Sequence, residues 1–192
     1  MVTYERLLSY GNVFPLTINC DIPKLLQEIE PFPFRQYNTL KPQNPREGLS
    51  ITSLDGDMNG DDLESLKELG KYTEMSFRTL TSVYYASSQV RQLIDPFRNH
   101  LGRTHILKFQ KGGYFPPHRD CYGSTQHSFR IIVPLVDCNP PELYFMMENQ
   151  PVYFNHGYAY FMNTNMVHSV FSFIKNSMMI VMNVEFCEET FD

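Results

Sequence analysis

The chain has 192 residues, which fits one domain or one domain with a substantial helical extension. Hydrophobic residues make up 42% and charged residues 19%, a balance that excludes a disordered tail. A net charge of -5 with no basic stripe argues against nucleic acid as a partner, and no apolar run reaches the roughly 18 residues of a membrane helix.

The N-terminal stretch MVTYERLLSYGNVF lacks the charged-then-apolar pattern of a secretion signal, so a soluble cytoplasmic protein is expected. The cysteines, Cys20, Cys121, Cys138 and Cys187, are scattered with no CxxC pair. Neither a zinc knuckle nor a disulfide framework is indicated.

In chain order, Asp21 is placed to cap a helix through Glu30, with Ile22, Leu25, Leu26 and Ile29 at helical spacing and Pro31 as the stop. Residues 31–47 are rich in proline and asparagine and read as loop. A short strand follows near Leu49–Leu54, then a helix capped by Asp61 or Asp62 through Lys71, then a longer helix over Ser76–Phe97. Residues 1–100 are thus expected to be mostly helical support and loops.

From Thr104 the pattern changes to period two and short apolar runs. Strands are expected at HILKFQ from His105, FRIIVPL from Phe129, LYFMM from Leu143, YAYFM from Tyr158, VHSVFSF from Val167 and MMIVMNVEF from Met178. Gly112-Gly113, Pro116-Pro117, Asn139-Pro140-Pro141, Asn155-His156-Gly157 and Lys175-Asn176-Ser177 separate them. The expected fold is mainly β with an α extension: one domain over 1–192, with a double-sheet jelly roll at 101–192.

Asp55-Gly-Asp57-Met-Asn59-Gly60 matches the first half of a calcium-binding EF-hand loop. Its bidentate glutamate would stand at Leu66, and no incoming helix precedes it, so an acidic surface turn is the better reading.

The central signal is GGYFPPHRD, ending in His118-Arg119-Asp120. Residues two apart on an extended segment face the same side, so His118 and Asp120 can reach one metal ion. His168, on a later predicted strand, is the favoured third ligand, with His105 and His127 as alternatives. Two imidazoles and a carboxylate on one face of an iron leave other positions open. Arg130 stands alone on the apolar strand FRIIVPL, where an inward guanidinium needs an anion such as a carboxylate.

Over roughly residues 88–186 the sequence resembles the 2-oxoglutarate- and Fe(II)-dependent oxygenase superfamily. ILKFQKGGYFPPHRD resembles the segment of prolyl hydroxylases that carries the first two iron ligands. FRIIVPL resembles the next strand in the aspartyl/asparaginyl β-hydroxylase and free-proline hydroxylase branch, where an arginine at the position of Arg130 helps bind 2-oxoglutarate. GYAYFMNTNMVHSV resembles the stretch leading to the last iron ligand, His168. The resemblance implies a double-stranded β-helix with supporting N-terminal helices, and Fe(II), 2-oxoglutarate and O2 as reactants. It also implies hydroxylation of a prolyl, aspartyl or asparaginyl residue or a free amino acid, with succinate and CO2 formed.

The sequence departs from the superfamily at Met178, where a basic residue usually anchors the far carboxylate of 2-oxoglutarate. Lys175 falls early, in a turn. Arg130 is the expected anchor, with Lys108, Tyr144 and Ser172 as hydrogen-bond donors. The loop at 31–47 with Arg35 and Arg46, the segment Cys121–Gln126, and Tyr114, Tyr122 and Arg119 are candidates for the pocket mouth. The alternatives are a cupin-like metalloenzyme of another type, and a non-catalytic binding module with a vestigial metal site.

Overall fold

The computed structural model describes residues 4–38, 40–58, 72–120 and 128–190. Thirteen strands are assigned: β1 Val13–Asn19, β2 Arg35–Gln36, β3 Arg46–Ser50, β4 Thr52–Ser53, β5 Thr79–Leu80, β6 Leu101–Phe109, β7 Tyr114–His118, β8 Ser128–Val136, β9 Leu143–Met147, β10 Gln150–Val152, β11 Tyr158–Met162, β12 His168–Ser172 and β13 Ser177–Glu185. Among the described residues four α-helices accompany them: α1 Tyr4–Leu8, α2 Ile22–Ile29, α3 Ser82–Ala86 and α4 Ser88–Ile94. None of these helices is long and apolar enough to cross a membrane.

A seven-stranded sheet runs β1-β11-β8-β13-β6-β3-β2, and a four-stranded sheet runs β10-β9-β12-β7. All the pairings are antiparallel, and the two sheets form the expected jelly roll. The central strands of the larger sheet are apolar on both faces because both are covered. On β8 and β13, Ile131, Val133, Ile180 and Met182 face the helices and form one core. Alternate residues Ile132, Met179 and Val181 face the smaller sheet and join Leu143, Phe145 and Val170 in a second core. Burying each such side chain contributes about 1.5–3 kcal/mol. The functional cavity opens off this second core.

Helix α2 forms as its sequence predicts. Asp21 accepts a hydrogen bond from the Lys24 amide at 3.1 Å, and Leu25 and Ile29 are buried. Glu28 then ties α2 to α4, accepting from the hydroxyls of Ser87 and Ser88 at 2.6 Å each and from the Gln89 amide at 3.1 Å.

The first hundred residues depart from the expectation of mostly helix and loop. They contribute β1 to one edge of the larger sheet and β3 and β2 to the other. Tyr37 donates from its amide to the Arg46 carbonyl at 2.9 Å, so the 31–47 segment is a proline-flanked strand return. The single helix expected over Ser76–Phe97 is broken. Ser87 is extended (φ −103°, ψ 119°), and its hydroxyl caps the new helix by accepting from the Val90 amide at 3.0 Å. The helix expected to end at Lys71 lies outside the described residues.

Pro116 and Pro117, read as a break, lie inside β7. That strand is at the edge of the smaller sheet, where a missing N–H leaves no ladder bond open. At the calcium-like motif, the Asp57 amide donates to the Asp55 carboxylate at 2.9 Å, an acidic turn of the kind expected.

Candidate metal centre

The turn before β7 depends on Gly112, whose φ of +85° favours glycine. It reverses the chain so that β7 lies antiparallel to β12, with His118 directly opposite His168. The imidazole centroids are 4.2 Å apart. Asp120, just past β7, is fixed by its amide donating to the Thr164 carbonyl at 2.9 Å.

Both histidines are held in the same tautomer. Nδ1 of His118 stands 2.6 Å from the Pro116 carbonyl, and Nδ1 of His168 stands 3.1 Å from the Met166 carbonyl. A carbonyl only accepts, so Nδ1 carries a hydrogen in each ring and Nε2 is the atom turned toward Asp120, where it would bind a metal from the neutral ring. The two Nε2 atoms converge on one oxygen: Oδ1 of Asp120 is 3.4 Å from that of His118 and 4.0 Å from that of His168. The second oxygen, Oδ2, accepts from Nε of Arg130 at 2.7 Å. Arg130 also reaches Glu74 at 3.5 Å, and Asn183 donates to the same carboxylate at 3.3 Å.

Gly102 lets the Glu74 segment approach β6 this closely, because a Cβ there would stand 2.8 Å from the Glu74 carbonyl oxygen. Burial alone would raise the Asp120 carboxyl, but the Arg130 guanidinium and the His118 hydrogen bond outweigh it and hold the group well below the usual carboxylate range. The Asp120 contact raises His118 above the ordinary imidazole value, whereas burial lowers His168.

Among the described residues, two groups of side chains bring three ligand atoms within 4.8 Å of one another. One is His118, Asp120 and His168. The other is His100, Cys187 and Glu189, in which Cys187 Sγ stands 3.1 Å from His100 Nδ1. The first opens into a cavity of about 440 Å³, which suits a small ligand. Two imidazoles and one carboxylate fit a divalent iron held on one face.

Sequence-predicted residues fall on both sides of the cavity wall. Arg130, Tyr114 and Arg119 line it. Lys108, Tyr144 and Ser172 are not among the lining residues. Lys108 occupies the opposite face of β6, where it pairs with Glu47 and lies over the Phe34 ring at 4.3 Å. Tyr144 alternates with the inward Leu143 and Phe145 and packs edge-on against Phe173. Ser172 is buried but donates to the Ile174 carbonyl at 2.9 Å. Arg35 is exposed on β2, Lys175 is exposed in a bend, and Tyr122 and His127 lie outside the described residues.

Sequence reasoning missed Arg103 as a lining residue and treated Arg46 only as part of the mouth. Both are buried in the cavity wall, with His105 beside them. The period-two phase of β6 carries the signal, since Arg103, His105, Leu107 and Phe109 share one face.

No family model and no curated protein matches the chain. Solved structures do. An oxidoreductase of the 2OG-Fe(II) oxygenase family from Burkholderia pseudomallei aligns at 12% identity and a TM-score of 0.52, covering 95% of this chain and 87% of that chain. A prolyl hydroxylase from Trichoplax adhaerens, solved with a hypoxia inducible factor peptide fragment, aligns at 10% identity and a TM-score of 0.52, covering 93% of this chain and 86% of that chain. At these identities the likeness is one of fold: over nearly its whole length the chain shares the fold of these two proteins.

Proposed function

We propose that the chain is an Fe(II)- and 2-oxoglutarate-dependent dioxygenase. It hydroxylates a prolyl or aspartyl/asparaginyl residue of a peptide or protein, or a free amino acid. The observation that carries this reading is the convergence of His118 Nε2, His168 Nε2 and Asp120 Oδ1 at one point of the cavity. Bound there, the iron would couple O2 reduction and 2-oxoglutarate decarboxylation, with succinate and CO2 as products, to hydroxylation of the substrate.

The chain's own residues set the conditions. His118, Asp120 and His168 would hold the metal on one face. Arg130 keeps Asp120 ionised and turns Oδ1 inward. Leu107, Ile132, Phe145, Val170, Met179 and Val181 give the cavity a water-poor wall. Tyr114 and Arg119 line the cavity and are exposed, so the primary substrate would approach past them. A cytoplasmic location belongs to the same proposal, supported by the free thiols of Cys20, Cys138 and Cys187.

The test is succinate formation from 2-oxoglutarate by the Fe(II)-loaded protein in air, with pools of proline-, aspartate- and asparagine-containing peptides and free amino acids. Succinate release that depends on His118 and His168 supports the reading. Iron binding without any 2-oxoglutarate consumption contradicts it.

A further inference from the structure

Met178 stands where the resemblance to the oxygenase superfamily places a basic residue. Met178 pairs with Lys108 and packs on the helix-side core, so its side chain is directed away from the cavity. The next residue, Met179, lines the cavity and is apolar. Across the sheet, Ser177 pairs with Phe109, and Phe109 pairs on its other side with Arg46. Arg46 enters the cavity wall from there at 3% exposure, its guanidinium carbon 3.8 Å above the Phe115 ring. Arg103, at 5% exposure, donates from Nη1 to the Tyr37 hydroxyl at 3.1 Å.

His105 lies between them on β6. It is 4% exposed, and neither of its ring nitrogens has a hydrogen-bond partner. Buried polar groups are almost always satisfied, so an orphaned imidazole in a cavity wall marks a place for a ligand. Burial and the charges of Arg103, Arg130 and Arg46 hold this ring far below the ordinary imidazole value, hence neutral, with one N–H to donate. Among the described residues the carboxylates lining the cavity are Asp120 and Glu74, and both lie against Arg130. That pairing also sets Arg130 apart from the expected anchoring role.

We propose that Arg46, Arg103 and His105 form the anchor for the carboxylate of 2-oxoglutarate that lies away from the metal, supplied by β3 and β6 in place of the strand that follows the last histidine ligand. The inference rests on the oxygenase reading of the site. Phe115 connects the two halves: Arg46 lies over its ring, and the same ring is 6.2 Å from that of His118. The anchor is therefore one aromatic ring from the metal ligands, a separation on the scale of a short dicarboxylate.

The experiment compares two keto acids on the protein loaded with Mn(II), which replaces Fe(II) and prevents turnover. 2-Oxoglutarate and 2-oxopentanoate share the metal-binding end, but the second carries a methyl in place of the far carboxylate. Calorimetric titration of the wild type is expected to favour 2-oxoglutarate by about tenfold or more, the effect of a charge-assisted hydrogen bond. Arg46→Met and Arg103→Met are each expected to erase that preference while leaving 2-oxopentanoate binding and Mn(II) affinity unchanged. Retained Mn(II) affinity shows that a variant is folded, and His105→Gln reads the same anchor should either arginine variant fail to fold. A preference that persists in the folded variants overturns the anchor and leaves the oxygenase reading standing. A Mn(II)-loaded wild type that binds neither keto acid overturns both.

Discussion

Arg130 donates from Nε to Oδ2 of Asp120 at 2.7 Å, and this one bond leaves Oδ1 facing the Nε2 atoms of His118 and His168. The guanidinium orients the carboxylate and keeps it charged, and would thus serve the proposed metal centre through its ligand. Arg130→Met is expected to weaken Mn(II) binding by about 10–100-fold. It also leaves Asp120 and Glu74 buried beside an apolar chain, a loss of about 3–5 kcal/mol in stability. Electron paramagnetic titration and urea melts measure the two effects, and an unchanged metal affinity would remove Arg130 from this role.

Metal binding should register as stability. At a free metal concentration of about a hundred times Kd, the folded state gains about 2.7 kcal/mol. His118 is 35% exposed by its side chain, so His118→Ala should leave the metal-free protein close to wild type and abolish the metal-linked rise in Tm. A rise of the same size in the variant would place the metal elsewhere, with the His100, Cys187 and Glu189 group the first site to examine.

The α2–α4 junction carries a pH dependence of its own. Burial acts to raise the Glu28 carboxyl, but hydrogen bonds from Ser87, Ser88 and Gln89 prevail and bring it down to about 2. A depressed carboxylate stabilises fully above its unfolded value of about 4.5, and the contribution disappears as the pH falls toward 2. Glu28→Gln should therefore lower stability by about 1 kcal/mol at neutral pH, given its partial exposure, with the difference from wild type closing in acid. Denaturant melts across that range check it; a difference independent of pH would show that charge is not the cause.

Phe145 links core to site. It is 2% exposed, packs edge-on against Phe154, and lies parallel to the His168 ring at 6.2 Å. Phe145→Ala should cost about 3–5 kcal/mol by opening a cavity in the second core. Because the wall beside His168 loosens, metal affinity should fall with it. A stability loss with full metal affinity would show that His168 is positioned by its backbone contacts alone.

Strands β6, β8, β9, β11, β12 and β13 were legible from period-two patterning, and the closeness of His118 and Asp120 from an extended HxD triplet, because these are local features. The edge strands were not. β2 and the start of β3 sit among prolines, and their existence depends on a partner strand far away in sequence. Ser87 ends a helix by hydrogen bonding, and serine also occurs inside helices, so the break leaves a weak local trace. Lys108 and Tyr144 lie off the cavity wall because of the phase of alternation: a one-residue shift moves a side chain to the other face of its sheet. The burial of Arg46 in the cavity wall was hidden for the same reason as β3, and the position of Glu74 beside Arg130 depends wholly on tertiary structure.

The most direct test of the central claim is an anaerobic titration of the purified protein with Fe(II) and then 2-oxoglutarate, followed by visible absorption. The account predicts a weak metal-to-ligand charge-transfer band in the wild type that is absent from His118→Ala and from His168→Ala. Iron that binds stoichiometrically at His118, Asp120 and His168 but gives no band on saturation with 2-oxoglutarate would contradict the account.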